Sequence, residues 1–397
     1  MPIAFPAPLA PYASKAEDTR GRLHDEPESQ SRTPFQRDRD RILHTVAFRR
    51  LKHKTQVFVF HEGDHYRTRL THSLEVSQIA RAFARRLQLD EDLAEVVALA
   101  HDLGHPPFGH TGEDVLQEMM EGAGGFDHNA QTLRLLTKLE RQHGAYLGLN
   151  LSWETLEGTV KHNGPLVGAN RVKDKPLPVA IEEYVAGHDL ELGSFPGLEA
   201  QLAALADDIA YNTHDCDDGL RAQLFSFDEA TDVPLIGPAL AAARRAWPDE
   251  PRDVQIAEAV SALIGRMVGD VYSETQRRLD DLEPQSVEDI RGYDRPIAAF
   301  SDGMAKELKT LREFLFTQMY RHHRVNEVRS AAKRIVRELF CLYRDEPEVL
   351  PPDWYRRQAE EPMEKRKRVV CDYIAGMTDR FAIHEHRRLT DLSRSFL

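Results

Sequence analysis

The sequence predicts an all-α protein, and two observations carry that expectation. Apolar residues recur at steps of three and four along most of the 397 residues, the spacing of one helix face. Period-two alternation is scarce, and no internal repeat is present. The expected architecture is a bundle of helices, extended by further helices toward the C-terminus.

The elements follow in order. Residues 1–34 mix proline, serine and charge without periodicity and read as a partly ordered arm. From Phe35 the pattern turns helical. In RDRDRILHTVAFRRLKHKTQVF, Ile42, Val46 or Ala47, and Leu51 form an apolar face, and HEGDHYRTR reads as a turn after it. In HSLEVSQIARAFARRL, the residues His72, Val76, Ile79, Phe83 and Leu87 share one face, which puts His72 on a buried stripe. DEDLAEVVALAHDLG aligns Leu93, Val97 and His101 in the same way. A helix is expected from near Asp127, and WETLEGTVKHNGPL reads as a short helix stopped at Gly164-Pro165. Residues 165 to about 198, rich in proline, glycine and charge, read as an irregular insertion or lid. LEAQLAALADDIAYNTHDCDDGL predicts a long helix, with others near 255–283, 300–342 and 363–388. The division is thus an arm (1–34), a core (35–230) with its insertion, and a C-terminal helical region (231–397) packed on the core.

Composition narrows the partners. The balance of 41% hydrophobic and 29% charged residues is that of a soluble globular chain. A net charge of −13 argues against bulk attraction to DNA or to an anionic membrane, although 52 Lys and Arg leave room for a local anion pocket. A single-stranded nucleic acid stays open as a partner without a feature that supports it. Cys216, Cys341 and Cys371 are too far apart for a zinc knuckle or a disulfide framework, which fits a reducing cytoplasm. The N-terminal stretch lacks the form of a secretory signal, and no apolar run approaches the roughly 20 residues that span a bilayer.

The chemistry concentrates in HDLGHPPFGH, residues 101–110. His101 continues an apolar helix face, and Asp102 beside it is costly to bury without a partner or a cation. Gly104 and Pro106-Pro107 are expected to end the helix straight after this pair, leaving His101-Asp102 on the helix and His105 and His110 on a loop. Imidazoles and a carboxylate in one pocket suit a first-row divalent metal. Later, Asp207, Tyr211 and Asp215 stand at i, i+4 and i+8 on one helix face and supply a further carboxylate. Loop histidines near a metal serve as general acids or bind anionic oxygens. His128 can join them, and Arg69, Lys161 and Arg312 are candidate phosphate contacts.

The combination of DRDRILHTVAFRRLKHKTQVF, RTRLTHSLEVSQIAR, HDLGHPPFGHTGE, FDHNAQTLR, ADDIAYNTHD and DYIAGMTDRFA, spread over residues 38–382, resembles the deoxyguanosine triphosphate triphosphohydrolase-like family of HD-domain phosphohydrolases. The resemblance implies an HD-domain helical core and hydrolysis of a deoxynucleoside triphosphate, dGTP or a broader set of dNTPs, to deoxynucleoside and tripolyphosphate. It implies a divalent ion (Mn, Mg, Fe, Co, Ni or Zn) held by His72, His101, Asp102 and Asp207. It gives His105 and His128 catalytic roles and makes His110 a contact to the α-phosphate. It makes Tyr211 the residue that packs on the deoxyribose and excludes a 2′-hydroxyl, and Gln56 and Asp215 contacts to the 3′-hydroxyl. Arg312 matches a phosphate-binding arginine by its spacing to Tyr320. Some relatives carry a phosphate-binding lysine one residue after the last metal aspartate. Here that position is Asp208, so the triphosphate must be held differently. The resemblance further implies a homo-oligomer, commonly a hexamer, for which RHHRVNEVRSAAKRIVRELF is a candidate interface, and a possible regulatory nucleotide. The alternatives are another HD-type phosphohydrolase, a nucleotidase or phosphodiesterase, or a nucleotide sensor without turnover.

Overall fold

Helix starts are written into the sequence as side-chain caps. In the computed structural model, which describes residues 8–56, 67–171 and 176–391, Thr33 and Gln36 form a capping box that opens α1 (Pro34–Leu43). Thr45, Thr68 and Asp90 cap α2 (Val46–Arg50), α3 (Arg69–Arg86) and α4 (Glu91–Ala100). After α5 (His110–Met119), Asp127 caps α6 (His128–Arg134) and Ser152 caps α7 (Trp153–Lys161). Then come α8 (Val179–Val185), α9 (Leu198–Arg221), α10 (Phe227–Ala230), α11 (Ile236–Ala246), α12 (Arg252–Leu282) and α13 (Val287–Arg291). The last are α14 (Asp302–Leu315), α15 (His323–Asp345), α16 (Pro352–Glu360), α17 (Met363–Ala375) and α18 (Asp379–Thr390). Among the described residues the β-pairing consists of isolated bridges, so the all-α expectation holds. No described helix is long and apolar enough to cross a membrane.

The apolar stripe of α3 (Val76, Ile79, Ala80, Phe83) packs on Leu93 and Val97 of α4 and on the small and branched face of α9 (Ala206, Ile209, Ala210). α1 covers α4, α7 closes against α4 and α9, and α12 lies along α9. A second apolar cluster joins Phe108, Val115, Leu116 and Phe126 to Val336, Leu339 and Phe340 of α15 and to Val370 and Ile374 of α17. The chain around His105 therefore sits between two cores, one on each side.

Several elements depart from the sequence expectation for packing reasons. The stretch 300–342 is two helices joined by a π turn, Phe316–Tyr320. α14 gives Met304, Leu308, Leu311 and Leu315 to the first cluster, whereas α15 gives Ala332, Val336 and Leu339 to the second. α15 starts against the first cluster with Val325 before it turns to the second. The stretch 363–388 likewise breaks at Gly376–Thr378, where Thr378 caps α18. The insertion 165–198 contains α8, anchored by buried Ile181. Residues 172–175, the N-terminal 1–7 and most of the expected turn HEGDHYRTR (61–66) lie outside the described residues. The described part of the N-terminal arm is pinned: Ser14 N and Oγ donate to buried Glu199 at 2.8 and 2.9 Å, and Arg22 pairs with fully buried Asp38.

Candidate metal centre and active site

α3 carries His72 inward, the end of α4 carries His101, and α9 carries Asp207. His72 and His101 are buried, as is Asp102, while Asp207 is half-buried. His72 Nε2 lies 2.9 Å from Asp207 Oδ1 and 4.0 Å from Asp102 Oδ2. His101 Nε2 lies 3.5 Å from Asp102 Oδ1 and 3.5 Å from Asp207 Oδ1.

The tautomer of His101 follows from its neighbour. Nδ1 is 2.6 Å from the Ala98 carbonyl oxygen, an acceptor, so Nδ1 carries the hydrogen. That leaves Nε2 bare, buried and without a hydrogen-bond partner, facing two carboxylates. A lone pair aimed at two anions requires a cation, either a proton or a metal ion. The same pressure acts on the imidazole's own titration. Burial pushes His101 down, but Asp102 and Asp207 outweigh it and raise it to about 9. His72, His101 and Asp102 each bring a ligand atom within 4.8 Å of the others, Asp207 Oδ1 approaches both imidazoles, and such a set suits a first-row divalent ion.

The local chain geometry differs from the expectation. α4 ends at Ala100, so His101 is its C-cap and Asp102 stands in the following turn rather than on the helix. His110 is the first residue of α5, not part of the loop. Gly104 is required for another reason than helix ending. A Cβ there would stand 2.1 Å from the His128 carbonyl and 2.3 Å from Thr132 N, so glycine lets the turn lie directly on α6. Thr132 Oγ1 completes the seam by accepting from Gly104 N at 2.9 Å.

That seam brings the histidines together. The rings of His105 and His128 stack, with centroids 4.0 Å apart and planes 15° apart. His105 Nε2 is 3.2 Å from Asp102 Oδ1, and its Nδ1 is buried without a partner. Glu113 joins the outer two histidines: its Oε1 is 2.8 Å from His128 Nδ1 and its Oε2 is 2.9 Å from His110 Nδ1. The two stacked rings are held apart electrostatically. Burial pushes His105 well below its ordinary range, and the Arg69 and His128 charges push it further, against Asp102. Burial also pushes His128 down, but Glu113 outweighs it and the net shift is upward. The pair is thus a neutral imidazole against one that holds a proton more tightly, an arrangement suited to proton transfer. His110 is more than half exposed at the mouth of this group.

Arg69 is buried, and its Nη1 donates to Asp102 Oδ2 at 2.7 Å. Burial would raise Asp102, but Arg69, His101 and His105 hold it well below the usual carboxylate range. Two residues from outside the helices of the centre fix the His105 loop. Lys54 Nζ donates to the carbonyls of His105 and Ala375. Asp379, the first residue of α18, accepts from Phe108 N at 2.8 Å and from Thr55 N at 2.9 Å. Gln56 follows on that bridge, with its Oε1 buried and unpartnered.

Along α9, one turn beyond Asp207, the Tyr211 hydroxyl meets the Tyr320 hydroxyl, which in turn donates to Asp215 Oδ2 at 2.6 Å. Asp215 Oδ1 is buried and unpartnered, and burial pushes this carboxyl up to about 8. Arg312 pairs with Asp208, the residue after Asp207, at 3.0 Å and is half exposed.

Lys161 is a correction. It was expected to meet phosphate, but its ammonium is fully buried elsewhere, 3.0 Å from Glu157 and 2.9 Å from both the Glu191 carbonyl and Ser194 Oγ. Helical phase does not say which neighbours absorb a cation. Residues missed by the sequence reading are Glu113, Lys54 and Asp379, and Tyr320 entered it only as the reference point for Arg312. The signal for Glu113 was present, since it lies three residues after His110 in HTGE. Lys54 and Asp379 lie in two of the stretches that carry the resemblance, but nothing local to either says that it reaches the His105 loop.

Residues 69–212 match the HD domain and residues 298–388 match the phosphohydrolase-associated domain. The chain is 58% identical over 393 residues to the deoxyguanosinetriphosphate triphosphohydrolase-like protein of Parvibaculum lavamentivorans, with 99% of each chain covered. It is 57% identical to the protein of that name from Caulobacter sp. (strain K31), with 98% of each covered. It is 55% identical to the one from Brucella anthropi, with 96% of this chain and 95% of that one covered. With the metal-type pocket on α3, α4 and α9 in an all-α core, and with similarity running the length of the chain, this protein belongs to the deoxyguanosinetriphosphate triphosphohydrolase-like family of HD-domain phosphohydrolases.

Proposed function

We propose that the protein hydrolyses deoxynucleoside triphosphates to deoxynucleoside and tripolyphosphate at the centre built on His72, His101, Asp102 and Asp207. The observation that carries the reading is the buried, bare Nε2 of His101 facing two carboxylates, with the His105–His128 stack alongside. A bound divalent ion supplies charge neutralisation at the phosphoryl oxygens and acidifies a water. Everything else falls to the chain. His105, held by Asp102 and by Lys54 on its carbonyl, faces the reacting group, and His128, oriented by Glu113, is the proton reservoir beside it. In-line attack of water on the α-phosphorus breaks the bond to the nucleoside 5′-oxygen, and the stacked pair delivers the proton that this oxygen takes up. His110 and Arg312, both partly exposed, receive phosphate oxygens. The Tyr211–Tyr320–Asp215 chain supplies the sugar end, where the Tyr211 ring leaves no room for a 2′-hydroxyl and the free Asp215 oxygen accepts from a 3′-hydroxyl. The setting is cytoplasmic, and the working form is a homo-oligomer.

The test is product analysis with four dNTPs and four NTPs in Mg, Mn and Co, reading both nucleoside and tripolyphosphate. Tripolyphosphate from dNTPs alone is expected, and release of phosphate or pyrophosphate would refute the reaction. His101→Ala should lose metal and turnover together. His105→Ala should lose turnover with metal retained. Equal turnover of NTPs would remove the sugar role of Tyr211.

A further inference from the structure

Behind His72, on the side away from Asp207, lies a chain of polar groups that the reaction above does not use. His72 Nδ1 stands 3.2 Å from Nδ1 of His214 on α9, and both rings are buried. The rings meet edge to face, with centroids 5.3 Å apart. The far nitrogen of His214, Nε2, contacts the carboxylate of Glu75, one turn along α3 from His72. Arg67 Nε lies 3.3 Å from the same carboxylate, while its Nη1 reaches Asp217 at 2.6 Å and Asp218 at 3.1 Å.

Hydrogen counting assigns the direction of this chain. Between the facing Nδ1 atoms there is room for one hydrogen, so one ring donates and the other accepts. An ionised Glu75, held by Arg67, accepts and cannot donate, so it selects the His214 tautomer with hydrogen on Nε2. His214 Nδ1 is then a bare acceptor, and His72 must donate from its own Nδ1. The remaining nitrogen of His72, Nε2, is thereby left with its lone pair free, and that is the nitrogen facing Asp207 at 2.9 Å. The opposite direction would let His72 Nε2 donate to Asp207 but leave a bare His214 nitrogen against Glu75; the direction above instead leaves the bare nitrogen against Asp207, at the centre where a divalent ion would supply the positive charge between them.

We infer that His214 and Glu75 are positioning residues for the metal ligand His72: a Glu75–His214–His72 relay fixes the tautomer and ring angle of His72 so that Nε2 is ready to bind the divalent ion. Histidine ligands generally need a partner on the non-ligating nitrogen, and loss of that partner typically costs 10- to 100-fold in metal affinity. Here the partner is a second imidazole whose own polarity is set by a half-exposed carboxylate. The inference rests on the metal centre proposed above.

The test measures metal binding directly, by titrating metal-stripped protein with Mn(II) and with Co(II), the latter read by its visible absorption. His214→Leu and Glu75→Leu should each weaken binding by about 10- to 100-fold and alter the Co(II) spectrum. His214→Gln, whose side-chain oxygen can accept from His72 Nδ1, should recover most of the affinity. Circular dichroism checks folding, and Glu75→Leu, at a half-exposed position, keeps the question decidable if His214→Leu does not fold. Equal affinity and an unchanged Co(II) spectrum in Glu75→Leu and His214→Leu would overturn the relay while leaving the metal centre standing. A wild-type protein that binds neither ion, or whose binding survives Asp207→Ala and His101→Ala, would instead overturn the metal centre and the relay with it.

Discussion

Replacing Glu113 with Gln tests the proton-handling half of the site in isolation. Glu113 touches neither His72 nor Asp207. Its contacts run to His128 Nδ1 at 2.8 Å, His128 N at 3.0 Å and His110 Nδ1 at 2.9 Å. Glutamine keeps the shape and an acceptor oxygen but removes the charge. A hydrogen bond to a charged group contributes about 1.5–3 kcal/mol against roughly 1 kcal/mol for a neutral one. Losing the charged component leaves His128 less often protonated when the 5′-oxygen needs a proton, a cost of about 0.5–2 kcal/mol, or roughly 2- to 30-fold in kcat. Burial already pushes His128 down, and without the carboxylate nothing of comparable size holds its proton. KM should change little, because the loss appears as the proton moves rather than on binding. The assay is steady-state release of deoxynucleoside and tripolyphosphate, with metal content measured on the same preparation. Turnover at the wild-type rate with metal bound would refute the assignment of His128 as the proton reservoir. A loss of metal would show that Glu113 acts on the centre and not on the histidine pair.

Other predictions test the supporting structure. Lys161→Met should cost about 3 kcal/mol of stability in urea unfolding and leave KM unchanged, because the lysine satisfies buried groups while Glu157 keeps Arg291 at 3.0 Å; a raised KM at unchanged stability would return it to the phosphate site. Gly109→Ala places a Cβ 2.7 Å from Arg69 Nη2 at a backbone φ of +56°, so kcat should fall and stability drop by about 1–3 kcal/mol; wild-type values for both would show that the loop accepts a side chain freely. Burial pushes Glu199 up to about 7 from 4.5, so the folded chain binds more protons than the unfolded one between those values. Stability should then fall as pH rises from about 4.5 through 7, by at most about 3 kcal/mol, and Glu199→Gln should flatten that decline. Parallel pH profiles for the two proteins would remove Glu199 as the cause.

The sequence by itself determined the helical class, most of the helices and the inward phase of His72 and His101. It did so because helical period and capping are local properties, and because polar residues in an apolar phase stand out wherever they occur. It expected HDLGHPPFGH to divide into a metal end on the helix and a substrate end on a loop, whereas α4 ends before His101 and His110 opens α5. Tertiary structure decided the rest. Gly104 exists for a contact with α6, a helix more than twenty residues away in the chain, and no local pattern announces such an approach. Lys161, Arg69 and Arg312 are alike on paper, yet one is consumed by buried acceptors, one is committed to Asp102 and one pairs with Asp208 while staying half exposed, according to which helices pack around them. Asp379 and Tyr320 reach the site only because α18 and the turn between α14 and α15 fold back onto it, and Lys54 enters from the segment after α2. Charges and hydrogens sort themselves by distance in space, and the chain writes down only distance along itself.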